Sequence, residues 1–514
     1  MADDWRTKLR TLRNRLLGIP SREPAQGSPA EGNHDAAPST IDNARSVASS
    51  SSAGSPRGID IAPTRPARTA PPVAINLGID FGTSFTKVCF RDVGTEQSGI
   101  AIIGRGVANN ALVPTLLAVG ADGKLHVADE ASEDLKAIYV PYLKMRLAGE
   151  AIGSSLPTVA GLDLNEEQCI RALAAWFLAT IIVRSQRWIE GAEEDRLRNR
   201  SVVWSANVGV PVEHYDSNAL AVFEEVLGVS WSWVRQDAVP ATIDAAVESY
   251  AAEVGRPDRS IADFHAIPEI SAAVQSFITS REATPGIYVY FDIGGGTVDG
   301  VAFNYVNDNG ERSLNFYSGR VAPLGMAALR PAAEEAASDI EAAANFDAAI
   351  AVTANVEDLA DKVRRLVGYV VFTAKKKDPR DWRWDSIQNE TRHRRFIGQR
   401  DPSTMKPLIV FVGGGGAHSS WYAATITSTY IRFGHQHNNI PPYRLAEVPK
   451  PADLSMAELN EREFRRFAIS YGLSIPFGEG PEVRLPSQFS DAERPRPREL
   501  LGVVDYANSK DVYD

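Results

Sequence analysis

The chain has few cysteines and no long uninterrupted apolar segment. Its 514 residues include two cysteines, Cys89 and Cys169, too few for a disulfide framework and without the spacing of a zinc site. The longest apolar stretch, 172–183, is too short to cross a bilayer and is predicted to be a buried helix. These absences predict a cytoplasmic protein without a transmembrane span.

Negative charge exceeds positive charge outside the N-terminus. The net charge of −11 at pH 7 argues against non-specific nucleic-acid binding by the body of the protein, and no sequence-specific nucleic-acid binding is expected. Residues 1–75 carry 10 Lys and Arg against 7 Asp and Glu. Within them, residues 1–18 are predicted to form an amphipathic helix, with an apolar face made of Trp5, Leu9, Leu12 and Leu16. Such a helix could dock on a protein partner or lie on an anionic membrane surface, and a frayed terminus without function is the alternative.

The rest of the chain divides by composition. Residues 19–72 are rich in Ser, Pro, Ala and Gly and are predicted to be a disordered linker, because they cannot bury enough apolar surface to fold. The 44% hydrophobic content supports a substantial core in the remainder. Within it, the periodicity of 356–377 predicts a helix with Leu359, Val363 and Leu366 inward. Residues 478–514 are predicted to be a short tail.

The most informative stretch is YVYFDIGGGTVDGVAF, residues 288–303. An apolar strand breaks at three glycines and resumes, which predicts a hairpin. Gly294, Gly295 and Gly296 leave backbone N–H groups open to phosphate oxygens, and Thr297 adds a hydroxyl. The flanking carboxylates, Asp292 and Asp299, suit a hydrated Mg²⁺ that neutralises phosphate. The alternative is a glycine-rich hairpin with ordinary turn aspartates.

Two further glycine turns repeat this pattern. Residues 75–90, INLGIDFGTSFTKVCF, place Gly82, Thr83 and Ser84 after a strand that ends at Asp80. The third turn, 413–416, follows the apolar strand 408–412 and precedes a helix, so that helix N–H groups and glycine backbone could approach a nucleotide.

These three ordered turns resemble the actin/hexokinase/heat-shock-protein-70 superfamily, and the DnaK-like nucleotide-binding domain in particular, over about residues 75–477. The resemblance implies an α/β fold, a duplicated actin-like (ribonuclease H-like) two-lobe ATPase with a central cleft. The lobes would span 73–211 and 212–477, the second with a helical insertion and a closing helix. ATP and Mg²⁺ are the cofactors that the resemblance implies.

The resemblance also implies roles for individual residues. Mg²⁺ would be held through water by Asp80 and Asp292, and catalysis would involve Asp80, Glu269, Asp292 and Asp299. The phosphates would contact Gly82, Thr83, Ser84 and Gly294–Thr297, and the adenosine would contact Gly413, Gly414, Gly415 and His418.

The sequence departs from the family in three places. Ser132 stands where the family has a lysine near the terminal phosphate, Ala417 stands where an arginine stacks on adenine, and proline precedes Glu269 instead of following it. Residues 144–149 resemble a lysine–glycine element of the family. Only 37 residues follow Phe477, too few for a peptide-binding domain.

The expected function is a slowly hydrolysing, DnaK-like conformational switch or chaperone-like regulator of an unknown protein partner. One alternative is a bacterial actin-like filament protein of the MreB or FtsA type, favoured by the N-terminal helix. The other is a small-molecule kinase of the sugar-kinase branch, which would need a catalytic aspartate aimed at a substrate hydroxyl.

Overall fold

The structure is a computed structural model that describes residues 70–105, 110–131, 136–150, 154–256, 263–327, 356–383, 406–433, 440–456 and 459–492. The predictions for 1–18, for 19–69 and for Ser132 lie outside these residues.

The described strands are β1 (Val73–Phe81), β2 (Phe85–Asp92), β3 (Ser98–Ile100), β4 (Val113–Pro114), β5 (Leu117–Val119), β6 (Leu125–Val127), β7 (Ile138–Val140), β8 (Thr158–Val159), β9 (Leu162–Asp163), β10 (Val202–Val210), β11 (Phe264–Pro268), β12 (Gly286–Ile293), β13 (Val298–Asp308), β14 (Glu311–Ala322), β15 (Leu408–Gly413), β16 (Tyr443–Ala446), β17 (Leu454–Ser455) and β18 (Glu482–Arg484).

The described α-helices are α1 (Leu143–Leu147), α2 (Glu167–Ala192), α3 (Glu194–Leu197), α4 (Val212–Tyr215), α5 (Ala219–Arg235), α6 (Ile243–Val254), α7 (Glu269–Ala273), α8 (Gln275–Ile278), α9 (Val356–Lys377), α10 (Ser420–Phe433) and α11 (Phe464–Ser474).

Two large mixed sheets organise this α/β structure. The first has the order β11-β10-β1-β2-β3-β17, with β4 beside β2, and the second has the order β16-β15-β12-β13-β14-β18. In the first, β1 is antiparallel to β2 and parallel to β10, and β10 is parallel to β11. In the second, β12 is antiparallel to β13 and parallel to β15, and β15 is parallel to β16. Strand β3 is antiparallel to β2, and β14 is antiparallel to β13. Five strands of each sheet therefore have the same order and the same directions.

Apolar side chains form three clusters around these sheets. One packs α2, α5 and α6 on the first sheet, and another packs α9 and α10 on the second. The remaining cluster joins α7, α8 and α11 to aromatic residues of β12, β13 and β14. By length and composition α2 could cross a membrane, but 72% of its apolar window is buried, so it is the core helix that the sequence predicted.

Helix α11 is attached to the first sheet by two buried asparagines. Asn76 Nδ2 donates to the carbonyl of Ser474 at 2.9 Å, and Asn207 Nδ2 donates to the carbonyl of Leu473 at 2.8 Å. Both carbonyls lie at the C-terminal end of the helix, where no intrahelical donor is available. A Cβ at Gly78 would overlap backbone atoms of α11, and a Cβ at Gly472 would overlap the backbone of Ala272 in α7. Helix α11 therefore lies directly against β1, which holds Asp80.

Part of the predicted C-terminal tail belongs to the second sheet. Strand β18 pairs in parallel with β14, with Leu314 opposite Val483. Beyond it, Ser487 Oγ donates to Asp216 Oδ1 at 2.6 Å. Ala492 N–H also donates to the carbonyl of Lys376 at 2.9 Å, so the described residues of this segment have defined contacts with the folded body up to Ala492.

Candidate functional site

The glycine turns of the two hairpins meet face to face. The Oγ1 atoms of Thr83 and Thr297 are 3.4 Å apart. A Cβ at Gly296 would lie 2.6 Å from Thr83 Cγ2, and one at Gly295 would overlap the Ser84 side chain. Glycine is therefore required here by the close approach of the opposite turn. The structure brings the first and second predicted phosphate turns together, although 214 residues separate the two threonines.

Four carboxylates lie beneath these turns. Asp80 is near the end of β1, and Asp292 and Asp299 are opposite each other in the β12–β13 pair. Glu269 is the first residue of α7. The side chains of Asp80, Glu269 and Asp299 are 3–4% exposed, and Asp292 is partly buried. Burial of so many like charges is costly unless cations accompany them.

Two lysines accompany the carboxylates. Lys87 Nζ lies 2.5 Å from Asp80 Oδ2, because the β1–β2 register places these residues opposite each other. Lys144 is 5% exposed and forms an ion pair with Glu269. It is the second residue of the short helix α1, and Tyr142, which directly precedes this helix, has a left-handed backbone with a φ of 57°. This rare conformation for a tyrosine turns the chain toward the site.

Burial and the neighbouring charged groups shift the pKa values of these carboxylates. Burial raises the pKa of Asp292 to about 6, with Asp80 adding to the rise and Lys87 opposing it. Burial, followed by Glu269, raises the pKa of Asp299 well above its usual value. Burial also raises the pKa of Glu269 against the effect of Lys144. Burial alone would lower the pKa of Lys144, but the surrounding carboxylates outweigh it and raise that pKa.

The charge balance of this cluster fits a hydrated divalent cation. Four carboxylates face two lysines, which leaves an excess of negative charge when all are ionised. Both carboxylate oxygens of Asp299 are buried without a hydrogen-bond partner. Among the described residues no group of three or more His, Cys, Asp and Glu side chains could hold a metal ion directly, so binding of Mg²⁺ here would be through water, as hydrated Mg²⁺ commonly binds.

The third glycine turn adjoins the second. Gly414 has a φ of 80°, and a Cβ there would lie 2.7 Å from Asp292 Oδ1, so both backbone conformation and space require glycine. The next residues, Gly415–His418, form a 3₁₀ turn. His418 points toward Glu463, in the 3₁₀ turn just before α11, with Nε2 4.0 Å from Glu463 Oε1. Burial, followed by the charge of Arg465, lowers the pKa of His418.

The sequence matches no family model. It also matches no curated protein. The functional argument therefore rests on the three turns and on the charged groups that lie between them.

Two residues of this site were not assigned a role from the sequence. The position of Lys87 could have been predicted from the sequence. A lysine seven residues after Asp80 lies opposite that aspartate across the short hairpin. The pairing of Lys144 with Glu269 has no local signal, since 125 residues separate them, although residues 144–149 resemble a lysine–glycine element of the family. The resemblance puts Ser132, which lies outside the described residues, at the family's lysine position, and the described part of the chain brings Lys144 to the carboxylates.

Proposed function

We propose that this protein binds ATP with Mg²⁺ between its two sheets and acts as a slowly hydrolysing, DnaK-like conformational switch. In this proposal the two sheets are the cores of the two lobes of a duplicated actin-like ATPase. The common strand order and directions of the sheets support that assignment, because independent sheets have no reason to share an order over five strands.

The contact between the two aspartate–glycine turns carries the proposal. The hydroxyls of Thr83 and Thr297 face one another at 3.4 Å, and the turns would have to move apart to admit a phosphate chain, which both halves of the protein would then hold. Because Gly82 N–H and Gly294 N–H already donate within their own turns, the other N–H groups of the two turns would bind the phosphate. Asp80 and Asp292 lie just below, where they would hold a hydrated Mg²⁺. Bound Mg²⁺ would supply neutralisation of the phosphate charge.

Hydrolysis requires, in addition, an oriented water molecule. Glu269 is the carboxylate best suited to accept a hydrogen bond from that water, because Lys144 fixes its position. The Lys144 ammonium would also favour negative charge that develops at the terminal phosphate. Asp299 would complete the polar wall, since its two oxygens are buried and unpaired.

The proposed output is closure of the two lobes while ATP persists, with little product formed. We expect turnover below about one per second, at the low end of enzyme rates. The predicted N-terminal helix would recruit a protein partner, with a peripheral membrane contact as the other option.

Titration of the full-length chain with ATP in the presence of Mg²⁺ tests the proposal, with heat of binding as the readout. The same sample is then centrifuged and assayed for phosphate release. Saturable binding with slow turnover and no pellet supports the switch. Pelleting that depends on ATP would favour the filament alternative, and rapid phosphorylation of a small metabolite would favour the kinase. No binding at millimolar ATP would end the nucleotide assignment.

A further inference from the structure

A buried histidine lies close to the carboxylates and lysines of the site and has no part in the chemistry described above. His214 belongs to the short helix α4, which follows β10, and it is 6% exposed. Its Nδ1 atom is buried without a hydrogen-bond partner among the described residues. An unpaired buried nitrogen is unfavourable, and a phenylalanine would fill the same space without that cost. Packing alone therefore does not explain a histidine at this position.

The other ring nitrogen of His214 faces the segment that ends helix α1. His214 Nε2 lies 3.6 Å from Glu150 Oε1. The ring of Phe223 is nearly parallel to the imidazole, at a centroid distance of 6.4 Å. A carboxylate can only accept a hydrogen bond, so Glu150 favours the tautomer of a neutral imidazole that carries its proton on Nε2. The ring is therefore oriented as a donor toward Glu150.

Backbone hydrogen bonds attach Glu150 to helix α1. Gly149 has a left-handed backbone with a φ of 78°, and its N–H donates to the carbonyl of Arg146 at 3.1 Å. The N–H of Glu150 donates to the carbonyl of Met145 at 3.0 Å. These two bonds form the Schellman motif that ends many helices. A contact at Glu150 therefore restrains the whole of this five-residue helix, which includes Lys144.

The charges around His214 favour its uncharged form. Burial, followed by the charge of Lys144, lowers the pKa of His214 from its usual 6.5, and Glu213 and Glu150 oppose this shift. The imidazole is therefore uncharged at neutral pH. An uncharged donor can restrain α1 without placing a second buried cation beside Lys144, whereas a lysine or an arginine at this position would repel it.

We propose that His214 is a positioning residue for Lys144. Its Nε2 atom restrains Glu150, the Schellman motif connects Glu150 to α1, and α1 holds the Lys144 ammonium against Glu269. The expected effect on hydrolysis rests on the proposed function, in which Lys144 favours the negative charge that develops at the terminal phosphate. The restraint on Lys144 itself requires no nucleotide.

Three substitutions in the full-length protein separate the roles of the two ring nitrogens. His214→Phe keeps an aromatic ring beside Phe223 and removes both nitrogens. His214→Gln puts an amide near the position of Nε2 and can still donate to Glu150, whereas the shorter amide of His214→Asn replaces only Nδ1. His265→Phe is the matched control, since His265 is a partly buried histidine whose ring stacks on Phe477 at a centroid distance of 4.0 Å. Thermal unfolding checks the fold of each variant.

The first measurement is the rate at which an amine-acylating reagent modifies Lys144 in the absence of nucleotide, followed by mass spectrometry. We expect His214→Phe and His214→Asn to raise this rate severalfold, because the ammonium is less firmly held, and His214→Gln and the control to keep the parental rate. The second measurement is phosphate release with ATP and Mg²⁺. It should fall about tenfold in His214→Phe and His214→Asn, since small misplacements of a catalytic group are costly, while ATP affinity changes less than about twofold.

Glu150→Ala tests the same contact from an exposed position and so gives an answer even where His214→Phe does not fold. It should match His214→Phe in both measurements, and the double variant should be no worse than either single variant. Additive losses, or a His214→Gln protein as impaired as His214→Phe, would overturn the inference.

The two proposals can fail separately. An unchanged acylation rate of Lys144 in folded His214→Phe would overturn the role of His214 and leave the proposed function intact. A parent protein that binds no ATP would contradict the proposed function, and the acylation rates would still decide whether His214 positions Lys144.

Discussion

Glu213, in the short helix α4 that follows β10 of the first sheet, and Arg320, on β14 of the second sheet, form an ion pair that links the two sheets. Arg320 Nη1 lies 2.7 Å from Glu213 Oε1, and the backbone N–H of Val321 donates to Glu213 Oε2 at 2.6 Å. Glu213 follows β10 of the first sheet, and Val321 lies opposite Asp299 in the β13–β14 register of the second. The contact therefore connects the first half to the strand beside a site carboxylate.

This ion pair should be coupled to nucleotide binding. If ATP closes the two halves, a contact between them contributes to affinity. We expect Glu213→Ala and Arg320→Ala to be non-additive, with a coupling of about 0.5 kcal/mol because the pair is partly exposed. A double-mutant cycle on ATP affinity measures this coupling. Arg312→Ala, an exposed arginine on the same strand, should be additive with Glu213→Ala. Equal coupling for both arginines would show that the ion pair has no specific role.

Removal of Lys144 should destabilise the protein and reduce turnover. Lys144→Met leaves the Glu269 carboxylate buried without its partner, which costs about 3–5 kcal/mol of unfolding free energy. Adding Glu269→Gln should recover most of the stability but none of the phosphate release. Urea unfolding and a phosphate assay measure the two effects. Lys124→Met is the control, because its ion pair with Asp122 is more than half exposed and should contribute little. Full turnover in Lys144→Met would remove Lys144 from the proposed mechanism.

The local elements of the fold were predictable because their signals are contiguous. Periodicity predicted helix α9 at 356–377, and the structure has the same bounds. The alternation of Ile75, Leu77 and Ile79 predicted β1 correctly. It did not indicate that Asn76 and Asp80 would also be buried. They are buried because helix α11 covers the second face of the strand. That helix lies almost 400 residues further along the chain, where a local pattern cannot indicate it.

The site was only partly predictable from the sequence, because some of its residues come together only when distant elements pack. Each aspartate turn has a local pattern that predicts a hairpin, and the hairpin register then fixes what lies opposite the aspartate. The pairing of Lys144 with Glu269 depends on how α1 and α7 pack, which no local pattern encodes. Strand β18 was missed because three residues, Glu482–Arg484, are too short for an alternation to be recognised.

Gly295→Val should abolish ATP binding. The new side chain would collide with Ser84 across the two turns, so that the turns could not close on the phosphates. Gly191→Val is the matched control, since no atom of the described residues, apart from its own helix backbone and chain neighbours, lies within 4 Å of a Cβ at Gly191, and its helical backbone accepts valine. Calorimetry gives the affinity, and thermal unfolding shows whether each variant folds. A folded Gly295→Val protein that binds ATP normally would mean that the turn has only a structural role.

Deletion of residues 1–72 should leave ATP affinity unchanged within about twofold. A flexible linker of some fifty residues has a root-mean-square reach on the order of 40 Å, which separates the predicted N-terminal helix from the nucleotide site. The deletion should instead alter localisation or partner capture. Calorimetry on the full and shortened proteins decides the first point, and a large change in affinity would contradict the separation.

Asp292→Asn should stabilise the ligand-free protein at neutral pH. The usual pKa of an aspartate is 3.8, and burial raises that of Asp292 to about 6, so the folded state retains a proton that the unfolded state releases between these values. The stability of the parent therefore falls as the pH rises from about 4 to 6, and asparagine removes this loss. Thermal unfolding without Mg²⁺ should show a difference between variant and parent that is largest at pH 7 and shrinks toward pH 4. Asp308→Asn, at an exposed strand end, should show no such trend.

The same substitution should separate binding from hydrolysis. Asparagine keeps the shape of Asp292, so the phosphate turns and Gly414 remain in place and much of the ATP affinity should persist. The amide lacks the charge that would hold a hydrated Mg²⁺ and orient the attacking water, and phosphate release should fall by at least about tenfold. Measuring ATP affinity and phosphate release on one preparation distinguishes the two effects. Hydrolysis as fast as in the parent would show that the second turn is not catalytic, whereas loss of binding without loss of fold would assign Asp292 a role in ATP binding itself.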